Sequence, residues 1–164
     1  MSHLMGVASL VLERGGSAEE AIAALLHDSV KIRLKITRVA PRPFARTSVM
    51  LSGRWCSRSS TAVPMRTRHP KPPWRERKEH YVEHLNTAPA SVRLVSCADK
   101  LHNARAILTD LRSIGSSVFD RFNAGREGTL WYYRQLADAF TQLGPPSLAA
   151  ELNRTVQEIE RLGR

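Results

Sequence analysis

An all-α fold is what this sequence predicts, and three observations predict it. Apolar residues recur at three- and four-residue intervals in successive stretches. Helix start and stop residues bound those stretches, with Ser17, Ser91 and Ser147 at starts and Gly15, Gly115 and Gly144 at stops. Outside residues 31 to 69, no stretch reads as a strand.

The first helix is expected over residues 2 to 14, where Leu4, Val7, Ala8, Val11 and Leu12 keep helical spacing and Gly15-Gly16 ends it. Ser17 with Glu20 is a capping-box pair that opens the second helix. Ala21, Ile22, Ala24, Leu25 and Leu26 make that helix apolar on nearly every side, so burial is expected; it ends around His27-Asp28. Helical texture returns at residues 74 to 85, behind the rigid lead-in Lys71-Pro72-Pro73. Pro89 and Ser91 then introduce a long helix over residues 92 to 114, with Val92, Val95, Ala98, Leu101, Ile107, Leu108 and Leu111 in period. Residues 127 to 143, with Trp131, Tyr132 and Phe140, form the next helix, stopped by Gly144-Pro145-Pro146. Ser147 is expected to cap the last one, whose stripe is Leu148, Leu152, Val156, Ile159 and Leu162.

The chain has 164 residues, enough for one domain, with 25 Lys and Arg against 15 Asp and Glu. Residues 31 to 69 hold ten of those basic residues and no acid, so the remainder is neutral. This segment also carries Pro41, Pro43, Pro64 and five serines, with no period of 2 or 3.6. Self-repulsion and a lack of core residues predict that it is disordered. No apolar run approaches the ~18 residues that span a bilayer, so no membrane partner is expected. The first residues lack the basic and apolar regions of a secretory signal. Cys56 and Cys97, without CxxC spacing, indicate a reduced chain in the cytoplasm.

Three places could carry chemistry. His27-Asp28 offers an imidazole nitrogen beside a carboxylate, a donor pair suited to a divalent ion of the Mn, Fe or Zn type; the alternative is an ordinary polar helix end. Asp99 sits in an otherwise apolar stretch and needs a partner: a metal, Lys100, Arg105 or a capping amide. Asn103, one turn later, shares its face, and a structural ion pair is the competing account. His3, taken alone, is a surface histidine near a terminus.

Taken together, SHLMGVA at residues 2 to 8, AIAALLHD at 21 to 28 and ADKLHNARAILTD at 98 to 110 resemble the HD superfamily of metal-dependent phosphohydrolases. The similarity is strongest to the hydrolase domain of the guanosine polyphosphate (ppGpp) enzymes of the stringent response and their small stand-alone relatives. KPPWRERK at 71 to 78 and FNAGREGTLWYY at 122 to 133 also resemble the small members, so residues 1 to 30 and about 70 to 164 are covered. The resemblance implies an HD-type helical bundle in which His3, His27, Asp28 and Asp99 hold one divalent metal, usually manganese. Lys100 and Asn103 would lie near the phosphate and ribose of a small nucleotide substrate, and His102 falls outside the ligand pattern.

Two departures from the family pattern bear on activity. Soon after His-Asp, the ppGpp hydrolases carry a Glu-Asp pair that activates the attacking water; here Lys31-Ile32 stand there, and neither can act as a general base. The family's upstream helix, whose basic residues help hold guanosine, has no counterpart before His3, so an N-terminally truncated bundle with impaired activity is expected. The organisation expected is therefore 1 to 30 and 70 to 164 as two parts of an HD domain, with 31 to 69 aberrant.

A frame change accounts for that segment. Lys31 to Arg38 can be encoded AAG ATC AGG CTG AAG ATC ACC CGG; read one base earlier after a G, this gives Glu-Asp-Gln-Ala-Glu-Asp-His-Pro, restoring the pair. Thr61 to Arg68 likewise becomes Asp-Gly-Cys-Thr-Asp-Ala-Asp-Thr, much like the stretch small relatives carry before the proline-rich lead-in. The alternatives are an HD phosphohydrolase acting on another nucleotide or phosphomonoester, or a non-catalytic nucleic-acid binder using the basic segment, with Arg54-Trp55 stacking on bases. The neutral remainder weighs against nucleic acid, and the sequence does not specify an oligomeric state.

Overall fold

The computed structural model describes residues 2–28 and 72–163. It divides into two compact units, Met1–Pro70 and Lys71–Arg164. The expectations placed on 31 to 69 (disorder, the frame change, Lys31-Ile32, Cys56) lie outside the described residues.

In the first unit, α1 (Ser2–Glu13) and α2 (Ala18–Leu26) pack as a helical hairpin. Gly15 turns the chain at φ 76°, a left-handed conformation that a side chain would strain, and the Gly16 amide donates back to the Val11 carbonyl at 2.9 Å. The capping box forms as the spacing predicts: the Glu20 amide donates to Ser17 Oγ at 3.2 Å, and the Ser17 amide donates to Glu20 Oε2 at 2.8 Å.

The hairpin core is built from small side chains: Val7, Ala8, Leu10 and Val11 of α1 with Ala21, Ala23 and Ala24 of α2. Two expectations are corrected here. Leu12 is 54% exposed and Leu10 takes its place in the core, because the contact face runs through 7, 8, 10 and 11 and the next residue turns outward. Burial of α2 on nearly every side does not hold either: Ile22 is 55% exposed and Leu25 40%. Among the described residues α2 packs on α1, and the alanines take that covered face.

The second unit contains α3 (Trp74–Thr87), α4 (Ala90–Ile114), a 3₁₀ segment (Gly115–Arg121), α5 (Gly125–Leu143) and α6 (Pro146–Leu162). The described residues contain helices and no strand, as the patterning predicts. The long α4 lies along α6, α5 packs on α6, and α3 rests on α5. Leu85, Leu101, Leu136, Phe140, Leu148, Leu152 and Ile159 are fully buried and form most of the core.

The helices differ from the sequence reading at several points, among them α4, which begins at Ala90 with Ser91 inside its first turn, and α3, which runs on to Thr87. The 3₁₀ segment carries no pattern of its own, yet Val118 and Phe119 anchor it in the core. Helix α5 starts two residues before the expected Glu127. Ser147 is not the cap of α6: the helix begins at Pro146, whose fixed φ and missing N–H suit a first helical position, and Ser147 falls inside its first turn. Ion pairs link the elements at the surface, Arg134 with Glu160, Arg105 with Glu151 and Arg121 with Asp110.

Candidate metal centre and cationic cleft

In the first unit the hairpin returns the chain on itself, so the end of α2 lies beside the start of α1. His3 comes from the first turn of α1, and His27 and Asp28 follow the last residue of α2. One ligand atom from each of His3, His27 and Asp28 lies within 4.8 Å of the others, and all three residues are half-buried. The imidazoles meet at a ring-centroid distance of 5.7 Å and an interplanar angle of 68°.

The donor set fits a divalent cation. His27 Nδ1 sits 2.6 Å from the Ala24 carbonyl, which can only accept, so Nδ1 carries the proton. That bond orients the ring and leaves Nε2 with its lone pair 3.9 Å from Asp28 Oδ2. Two imidazoles and a carboxylate are nitrogen and oxygen donors of the kind that bind Mn, Fe or Zn. The carbonyls at the end of α2 add partial negative charge, which favours a cation there.

In the second unit, Asp99 is buried on α4. Lys100 Nζ donates to Asp99 Oδ2 at 2.7 Å, and Asn103 Nδ2 donates to Asp99 Oδ1 at 3.0 Å. Of the partners the sequence allowed, Lys100 pairs with Asp99, while Arg105 pairs with Glu151.

Burial pulls the Lys100 ammonium toward losing its proton, but Tyr81 and Asp99 beside it outweigh this and hold it well above its ordinary value of 10.5. Lys100 Nζ lies 5.2 Å from the Tyr81 ring centroid. Burial pushes the Tyr133 phenol up to about 12 and raises Tyr132 as well. The lysine is thus a fixed cation near the neutral Tyr132 and Tyr133 phenols at physiological pH.

Lys100 and Asn103 line a cleft of about 530 Å³, together with Trp74, Lys78, Arg121 and Tyr132. Lys78 Nζ sits 4.2 Å from the Tyr132 ring centroid, a cation–π distance. The structure thus brings His3, His27 and Asp28 together in one unit, and Asp99, Lys100 and Asn103 together in the other. Sequence reasoning assigned no role to Trp74, Lys78 or Tyr81. Their steps of four and three residues place them on one face of α3, a signal that was present but was not joined to Lys100 and Asn103.

A helical domain with a His, His-Asp motif set at the end of a hairpin defines an HD domain, and the chain belongs to that family: the HD-domain model matches residues 1–130. The superfamily comprises metal-dependent phosphohydrolases, and the all-α HD bundle expected from the sequence is the fold observed. The chain is similar in fold to lmo0812 from Listeria monocytogenes EGD-e, with a TM-score of 0.73 and 24% identity over 97% of this chain and 99% of that one. No curated protein matches the sequence. Among the described residues, no helix is long and apolar enough to cross a membrane.

Proposed function

We propose that this HD domain is built to remove the 3′-pyrophosphate of ppGpp in the cytoplasm, with His3, His27, Asp28 and Asp99 holding manganese. The observation that carries the reading is the His3–His27–Asp28 cluster, with His27 locked through Nδ1, in a chain of the HD family. A bound divalent ion would supply a Lewis acid that makes water nucleophilic near neutral pH. The protein's own groups supply the rest. Lys100, kept protonated, and Asn103 face the cleft and would take phosphate and ribose, while Asp99 aims both. Lys78 and Arg121 add positive charge to the same walls.

Lys31-Ile32 replace the Glu-Asp pair, so no carboxylate from those positions can take the proton of the attacking water, and this chain turns over slowly. In this reading, residues 1 to 30 and 70 to 164 are the two parts of the catalytic domain, and 31 to 69 is a connector translated out of frame. Nucleic acid is not a partner, since charge outside that connector balances.

The test compares the chain with a frame-restored version carrying Glu-Asp, by pyrophosphate release from ppGpp with manganese. General-base catalysis is worth about 10²- to 10⁴-fold, and that is the expected gain on restoration. Equal rates would overturn the impairment. Release from another nucleotide or a phosphomonoester, with none from ppGpp, would move the substrate within the same superfamily. Sequencing codons 28 to 72 checks the frame directly.

A further inference from the structure

We propose that Trp74 is a specificity-determining residue of the cleft: its indole is a stacking surface for the base of a bound nucleotide, beside the lysines that take the phosphates. The inference rests on the nucleotide reading above and assigns the cleft a subsite that metal and phosphate chemistry alone would not require.

The argument starts from what holds the ring. Trp74 meets Trp131 at a centroid distance of 6.2 Å and 62°, and Tyr132 at 6.0 Å and 75°. Both neighbours are steeply inclined, so neither stacks flat on the indole. Trp131 is itself covered by the Arg75 guanidinium, 4.0 Å from its ring centroid, so the ring Trp74 leans on has a support of its own. The indole tip lies against α5 at Gly128, where an added Cβ would sit at ordinary contact distance, 3.6 Å, from Trp74 Cζ3; what requires glycine there is Ala124, whose Cβ would be 2.6 Å away.

The cleft contents then indicate the ligand class. Trp74 lines the same walls as Lys78, Lys100 and Arg121, and its side chain is half-buried rather than sealed into the core. Lys78 Nζ lies over the Trp74 ring, 5.8 Å from its centroid, which sets a cation beside the aromatic wall. Lys100 and Arg121 each donate to a carboxylate, Asp99 and Asp110, and as an ammonium and a guanidinium they carry further N–H donors that an anionic group can use, whereas a bare phosphate would leave the indole unused. A molecule with a flat aromatic group and an anionic group matches both, and about 530 Å³ is within the range of small-molecule sites.

The test uses the full chain, Trp74→Leu and Trp74→Phe, with two probes measured by calorimetry: ppGpp and inorganic pyrophosphate. Stacking of a base on an aromatic ring is worth about 1–3 kcal/mol. Trp74→Leu should therefore weaken ppGpp binding about 5- to 150-fold while pyrophosphate affinity stays within about twofold, and Trp74→Phe should retain most of the nucleotide affinity. An unchanged nucleotide affinity in Trp74→Leu, or equal loss of both probes in a folded variant, overturns the proposal. Should Trp74→Leu fail to fold, 5-fluorotryptophan in the otherwise unaltered chain decides: ppGpp, and not pyrophosphate, must shift the resonance that Trp74→Phe removes. Trp74-dependent nucleotide binding without pyrophosphate release would leave this inference standing and refute the assigned reaction. Absence of any nucleotide binding would overturn the stacking site.

Discussion

The two units contrast in what their cores are made of and in what each contributes to function. The α1–α2 hairpin is held by valines, one leucine and four alanines, and leaves Met5, Leu12, Ile22 and Leu25 exposed. The second unit buries Phe140 and a row of leucines completely, and ties its helices with arginine–carboxylate pairs. Buried apolar area is what stabilises a fold, at about 25 cal/mol per Å², and among the described residues the hairpin buries less of it than the second unit. The candidate metal cluster stands on the hairpin and the cleft lies in the second unit. A bound cation would cross-link the two ends of the hairpin and stabilise it by mass action, so in this region ligand binding and folding are coupled.

The largest effect expected tests the second unit. Phe140→Ala removes a fully buried aromatic and should cost about 3–5 kcal/mol, measured by urea unfolding. A cost below 1 kcal/mol would mean that this core is not what holds the unit together. Next, His27→Ala should lower manganese affinity at least about 100-fold by calorimetry, since altering even the groups that support a ligand costs about 10- to 100-fold. It should leave the urea transition of the second unit unchanged, which keeps the two regions separable. Asp99→Ala takes two hydrogen-bond acceptors from Lys100 and Asn103 and strands the lysine, at about 2 kcal/mol.

The smallest effect sharpens the surface side of the comparison. Arg161 and Arg112 hold the Glu158 carboxyl down to about 2, below its ordinary 4.5. Its folded value is the lower one, so its contribution is complete above pH 4.5 and is lost as pH falls toward 2. Melting temperature should therefore decline over that interval, less steeply in Glu158→Gln. The pair is exposed and screened, so the difference should be small.

Much of this was legible from local sequence. The capping box at Ser17 and Glu20 and the stripe on α6 appear because each depends on residues three or four apart, which is information a single helix contains. The set His3, His27, Asp28 and Asp99 comes from the resemblance to the HD superfamily and not from any one helix. The hairpin shows how His3 reaches His27 and Asp28, across a turn set by Gly15.

What the sequence determined alone was the helices, their approximate ends and the donor types. Which face of each helix is covered was a tertiary decision: alanines rather than Ile22 and Leu25 in α2, Leu10 rather than Leu12 in α1. So was the pairing of Arg105 with Glu151 on α6, and so was the placing of Trp74 and Lys78 from α3 beside Tyr132 from α5. Helical periodicity reports a stripe some 100° wide and leaves open what will meet it. The meeting is settled by how the helices fit one another, and that fit involves residues far apart in the chain.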